Sequence, residues 1–270
     1  MLTAAKLVTG LKFRIIPCMD VNLGHVVKGT QFADLLDVGN PELMANGYSV
    51  GGADELCLLD VSASTSNKAV LYNTISRVAE SCFIPLTVGG GVRRIKDVGD
   101  LLRAGADKVS INSAGVANPE FIASCVDKFG SQCVVASVDC KAVNGTWEVY
   151  SHGGTRPTGT DALEYICKVV QFGAGEILLT SIDRDGAKTG YDIALLKSVS
   201  SIVSVPIIAS GGGGSLRHAA LALIEGGASA VLLASLFHYN ECTISQLKFF
   251  LGRCGSLVRD DYIRLGLYDE

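Results

Sequence analysis

IIPCMDV, residues 15–21, reads as a strand buried on both faces, yet it carries an aspartate, Asp20, near its end. A buried, unpaired carboxylate costs several kcal/mol or changes its protonation. The stretch has a counterpart, VVASVDC (134–140), in which Asp139 takes the place of Asp20. The correspondence continues in order along the chain. GADELCLLDVS matches GAGEILLTSID, aligning Glu55 with Glu176; IPLTVGGGV matches VPIIASGGG, aligning Gly90 with Gly211; and GADKVSINSA matches GASAVLLASL, aligning Lys108 with Ala230. The separations are 119, 121, 121 and 122 residues, near-constant over four segments. The chain is therefore expected to be two similar halves, with a period too long for a solenoid.

Apolar, β-rich runs recur at 13–19, 55–59, 83–88, 108–111, 133–138, 176–182, 205–209 and 229–234. They are near-continuous rather than alternating, as in a parallel sheet covered on both faces. Helical patterns separate them. Asn40-Pro41-Glu42 and Asn118-Pro119-Glu120 each place Asn at an N-cap and Pro at the first helical position. Segments 164–172, 217–224 and 244–250 are further helices. Eight strand–helix units in 270 residues predict an α/β fold: a (βα)8 TIM barrel built from two (βα)4 half-barrels, one domain over 1–270. A doubly wound sheet is the alternative, but no strand–GxGxxG–helix opening is present. Residues 22–39 are expected to be a long, mobile loop on the active-site face. Asn144-Gly145 is expected to turn a hairpin.

Composition excludes several function classes. A formal net charge of −4 argues against nucleic acid or an anionic membrane as main partner. No apolar run reaches the roughly 20 residues of a membrane span. Residues 1–13 lack the pattern of a signal peptide. Nine cysteines without a Cys-x-x-Cys pair read as buried thiols in a reducing, cytoplasmic setting, and no zinc spacing appears. No cofactor is expected.

In a TIM barrel the C-terminal strand ends form the catalytic face, and the first and fifth strands lie opposite each other. Asp20 and Asp139 thus face one another across the mouth. Such a pair suits acid–base work, with one group protonated and one not; two aspartates each capping a loop are the bland alternative. VGGGV (88–92) and SGGGGS (210–215) follow the third and seventh strands, and INSAG (111–115) and LASLF (233–237) end the fourth and eighth. Glycine lets backbone amides approach an anion. Two such runs at matching positions predict a phosphate site on each side and a bisphosphate ligand between them. The carboxylates of TSIDRDGAKTGYD (180–192) have no His, Cys or Glu nearby; this segment is read as a charged turn that positions substrate, not a metal site. At the opposite end, Arg14, Glu55, Lys108 and Glu176 begin strands and are expected to form an ion-pair plug under the core.

These motifs, RIIPCMDV (14–21), HVVKGTQF (25–32), ELCLLDVSAS (55–64), TVGGGV (87–92), GADKVSINS (105–113), TSIDRDGAKTGYD (180–192) and IIASGG (207–212), resemble the cyclase subunit of imidazole glycerol phosphate synthase, from about residue 12 to 253. The chain carries an N-terminal extension, residues 1–12, relative to that pattern. The resemblance implies a substrate that is an open-ring phosphoribulosyl formimino aminoimidazole carboxamide bisphosphate. It implies ring closure with ammonia to imidazole glycerol phosphate and aminoimidazole carboxamide ribotide. It implies Asp20 and Asp139 as the acid–base pair and Lys28 on the closing loop. Asn112, Thr180, Asp185 and Ser210 would line the site, and Gly91, Ser113, Gly186, Gly212, Ala234 and Ser235 would hold phosphate. It also implies a separate glutaminase subunit docked on the barrel bottom, with Arg14, Glu55, Lys108 and Glu176 as the gate for ammonia. The rival readings are the sister isomerase of the same pathway and a non-catalytic scaffold for a glutaminase. VVKG, DGAKTGYD and the four-residue gate favour the cyclase over the isomerase, and the intact aspartate pair argues against the scaffold.

Overall fold

The structure is a computed structural model that describes residues 11–30, 33–62 and 68–259, with backbone only at 28–30 and 33–35. Eight parallel strands close a barrel: β1 (Arg14–Asn22), β4 (Leu56–Asp60), β5 (Leu86–Gly89), β6 (Lys108–Ile111), β7 (Val134–Val143), β10 (Glu176–Ser181), β11 (Ile207–Ser210) and β12 (Ala230–Leu233). Their order around the barrel is the order in the chain, and β12 pairs with β1 to close it. All eight expected strands are present, and β1 and β7, which carry the repeated aspartates, lie opposite each other. The expected (βα)8 barrel is the observed fold.

The pleat explains why the strands read as continuous apolar runs. Successive side chains point to opposite faces. Ile16, Cys18, Cys57, Val135, Leu178, Ile208 and Ala230 pack together inside the barrel. Their neighbours Ile15, Met19, Leu56, Val134, Ala136, Ile177 and Leu179 belong to the larger core under the helices. Both faces are dry, so both must be apolar.

The surrounding helices are α1 (Pro41–Val50), α2 (Lys68–Ser81), α3 (Ile95–Arg103), α4 (Ser113–Ala117), α5 (Glu120–Phe129), α6 (Ala162–Gln171), α7 (Ile193–Ile202), α8 (Leu216–Ala220), α9 (Ser235–His238) and α10 (Ile244–Arg253). Asn40 caps α1 as expected, its Oδ1 accepting from the Glu42 and Leu43 amides at 2.9 and 3.1 Å, with Pro41 at the first position. In α5 the frame moves by one residue. Pro119 occupies the cap, and Asn118 Oδ1 still accepts from the Glu120 amide at 3.1 Å. The helix expected over 217–224 is α8 continued by a π-helical turn at Leu221–Glu225.

Segment 22–39, expected to be a loop, contains two strands, β2 (His25–Thr30) and β3 (Ala33–Gly39). β2 turns back on β1 at Leu23 and Gly24, both with positive φ, and pairs antiparallel with it, Val27 opposite Asp20. The insertion therefore grows directly from the aspartate end of β1. A second hairpin lengthens β7 in the same manner, through β8 (Thr146–Ser151) and β9 (Arg156–Asp161). Its turn is the predicted Asn144-Gly145, with φ of 50° and 85°, the two left-handed residues a tight hairpin requires. All nine cysteines are free; Cys254 is exposed and Cys133 and Cys167 are partly so, fewer buried thiols than the sequence reading expected. Among the described residues no helix is long and apolar enough to cross a membrane.

Candidate active site

The alternation of β1 places four side chains in one inward column: Arg14 at the foot, Ile16 and Cys18 in the core, Asp20 at the head. Asp20 sits where the strand leaves the apolar layer, half-buried, with the Cys18 thiol donating to its Oδ1 at 3.9 Å. β10 repeats the scheme with Glu176, Leu178 and Thr180, and β6 with Lys108 and Ser110, followed by Asn112. A period of two along a strand spanning the barrel thus delivers one residue to the floor and one to the mouth.

Asp139 heads β7, in register with Thr180 on β10, which is in turn in register with Ser210 on β11. Asn112 Nδ2 donates to Asp139 Oδ2 and to the Ser137 carbonyl, both at 3.2 Å. Burial pushes the Asp139 carboxyl up to about 7; the Thr180 hydroxyl opposes the shift and the nearby Asp185 charge adds to it. A carboxyl that holds its proton near neutrality, across the mouth from a second aspartate, can give and take protons under physiological conditions. Asn112 and Thr180, both expected to line the site, are the groups that orient Asp139. Cys18, whose thiol meets Asp20, was not singled out as a site residue, and its signal was inward parity with Asp20; Ser137 takes part through its backbone carbonyl, which no side-chain pattern marks.

The glycine runs have different characters. Gly90 and Gly91 follow β5 with φ of 100° and 65°. A Cβ on Gly90 would lie 2.2 Å from the Asp60 carbonyl oxygen, whereas Gly91 has nothing within 4 Å and opens on space. Gly212, by contrast, is needed for packing: a Cβ there would lie 2.3 Å from the Gly190 carbonyl oxygen, and the Gly190 amide donates to the Gly212 carbonyl at 2.8 Å. Gly186 takes φ 72° in the turn after β10. Ser113 and Ser235 open the short helices α4 and α9, with Ala234 before the latter. The Ser113 hydroxyl donates to Asn112 Oδ1 at 3.0 Å and accepts from the His152 amide at 2.9 Å. That bond brings the second hairpin onto the site, a contact with no signal in the sequence. Backbone at Lys28 belongs to β2, and its side chain lies outside the described residues.

The carboxylates of 180–192 have structural partners. Asp183 Oδ2 accepts from the Ala142 amide at 2.8 Å, and Asp192 caps α7 while taking the Trp147 indole N–H at 3.1 Å. Only Asp185 bears on the mouth.

At the floor the four predicted charges meet. Arg14 Nη1 donates to Glu55 Oε1 at 2.7 Å and to Glu176 Oε1 at 2.9 Å. Lys108 Nζ reaches Glu55 Oε2 and Glu176 Oε1, both at 3.1 Å. The result is a closed ring of alternating charge, in which no side chain is more than 15% exposed. Burial acts to lower the Arg14 pKa, but Glu176 and Glu55 together hold it above its ordinary value. One oxygen of Glu176 is buried without a hydrogen-bond partner. Beside the ring, Asp54 binds the Ile15 amide and the Lys248 ammonium, each at 2.8 Å, a nearly buried ion pair that the sequence did not reveal.

A family model described as histidine biosynthesis protein matches residues 14–243. The chain is 55% identical over 249 residues to the imidazole glycerol phosphate synthase subunit HisF of Hyphomonas neptunium, covering 92% of this chain and 99% of that relative. On that match, over a barrel with this mouth and this floor, the chain belongs to the HisF family of histidine-biosynthesis proteins.

Proposed function

We propose that this chain is the cyclase subunit of an imidazole glycerol phosphate synthase, a lyase that closes the imidazole ring with ammonia delivered by a separate glutaminase subunit. The observation that carries the reading is the mouth itself: two aspartates at the heads of opposite strands, one with its pKa raised to about 7. Ammonia adds to the open-ring bisphosphate, the chain breaks, and the ring closes; each step moves protons, and Asp20 and Asp139 are placed to move them. Asp139 is suited to carry a proton at neutral pH. Asn112 and Thr180 orient Asp139, Ser210 lines the site beside them, and Asp185 tunes Asp139. Gly91, with Ser113, takes one phosphate. Gly186, Gly212, Ala234 and Ser235 frame the other. Lys28 rides on the hairpin that grows from Asp20 and closes over substrate.

The floor supports the partner. Leu11, Val50, Phe83, Ile202 and Leu257 are large apolar side chains left exposed at that end, Phe83 at 88%. Each lies near the start of a barrel strand or the end of a helix, on the same end of the barrel as the ring of Arg14, Glu55, Lys108 and Glu176. An apolar rim about a polar opening is what a docked glutaminase requires if ammonia is to pass inward without release. Replacing Asp20 by Asn tests the chemistry: ammonium-driven turnover is abolished while substrate binding persists. Turnover that survives the change refutes the acid–base assignment.

A further inference from the structure

Asp97, in the first turn of α3, is 3% exposed and satisfies four donors at once. Its Oδ2 accepts from the Arg93 and Arg94 amides at 3.1 and 2.9 Å. Its Oδ1 accepts from Lys68 Nζ at 2.7 Å and Arg94 Nη2 at 3.3 Å. A helix cap needs only the amides. Lys68 adds a second task, because it opens α2, the neighbouring helix. The carboxylate therefore ties the start of α2 to the backbone that leaves the glycine run after β5. On its other side that run is wedged against β4, where Gly90 leaves no room for a Cβ beside the Asp60 carbonyl. Between the two anchors lies a pocket lined by Asp60, Lys68, Tyr72, Gly91 and Arg93.

The other half of the barrel lacks this device. At the 121-residue separation of the two glycine runs, Asp97 falls on His218, and the amide of Gly214, the last glycine of its run and the counterpart of Arg93, donates to His218 Nδ1 at 3.3 Å. The cap is thus repeated with an imidazole, but an imidazole nitrogen offers no second oxygen for an ammonium tie to the neighbouring helix. The two ends of the mouth are thus held by unequal means.

We infer that Lys68 and Asp97 are a positioning pair that fixes the loop at Gly90 and Gly91 for one phosphate of the substrate. This rests on the bisphosphate reading above. A cap alone makes a different prediction. Lys68→Met leaves Asp97 with both amides, so a capping role is untouched while the tie to α2 is cut.

The test is steady-state kinetics with saturating ammonium chloride on the whole chain, with melting temperatures recorded alongside. Lys68→Met is expected to raise KM for the bisphosphate about tenfold with kcat within about twofold, the split that marks lost ground-state binding. Lys68→Arg, which retains the charge, is expected to restore KM to within about twofold. An unchanged KM in Lys68→Met beside an active wild type overturns the inference and leaves the proposed function standing. A loss that follows the melting temperature and is not rescued by Arg also overturns it. A wild type that never turns over overturns both.

Discussion

Asp139→Asn should make the protein more stable and less active, and the stability gain should depend on pH in one direction. Burial raises the Asp139 pKa from 3.8 to about 7, which corresponds to about 4 kcal/mol between the protonated and charged forms. The mouth is partly open to water, so roughly half of that, about 2 kcal/mol, is the working figure. The folded protein binds this proton more tightly than the unfolded chain between about pH 4 and 7. Stability attributable to this group is therefore highest below pH 4, falls as pH rises through that window, and stays low above it. Asparagine keeps the shape and never ionises. The variant should match the wild type near pH 4 and exceed it at pH 8 by about 2 kcal/mol, or roughly 4–8 °C in Tm. Urea and thermal denaturation at pH 4, 6 and 8 measure it, with ammonium-driven turnover expected to collapse in the same variant. If Asp139→Asn is no more stable than wild type at pH 8, or if its advantage does not change with pH, the charged carboxylate is not being held against its desolvation and the reasoning fails.

Three other perturbations probe the rest of the molecule. Lys108→Met breaks two contacts of the floor ring and leaves two carboxylates undercompensated, so stability should drop by about 2–3 kcal/mol in denaturant titrations while ammonium-driven turnover in the folded fraction persists. Phe83→Asp should weaken glutaminase docking by about thirtyfold or more in a binding titration, since a charge replaces an exposed aromatic anchor, with ammonium-driven turnover unaltered. Gly90→Ala places a Cβ 2.2 Å from the Asp60 carbonyl oxygen at a φ of 100°; a loss of at least about 2 kcal/mol in thermal melts is expected.

The barrel was legible because duplication wrote its key residues twice. Asp20 alone is ambiguous, but Asp20 with Asp139 at matched strand ends fixes both the closure of the sheet and the location of its mouth. The floor ring was legible for a related reason: Arg14, Lys108 and Glu176 begin their strands and Glu55 immediately precedes its own, so strand parity turns them inward together. Segment 22–39 was misread because its strands are not core strands. Among the described residues HVVKGT and ADLLDVG pair with each other and β1 alone, and their mix of apolar, charged and glycine residues lacks the continuous apolar run of a barrel strand. β9, with Pro157 and Gly159, carried even less strand signal. Asp97 with Lys68, and Asp54 with Lys248, were invisible for a different reason. Each pair is made by chain segments brought together only in the folded state, 29 and 194 residues apart, and a buried carboxylate looks in sequence like any helix-start or loop aspartate.

The most direct measurement is turnover by the purified chain alone, given ammonium chloride and the open-ring bisphosphate. Imidazole glycerol phosphate and aminoimidazole carboxamide ribotide are expected in equal amounts, with no activity on the unisomerised aminoaldose precursor. Isomerisation of that precursor without ring closure would contradict the cyclase assignment.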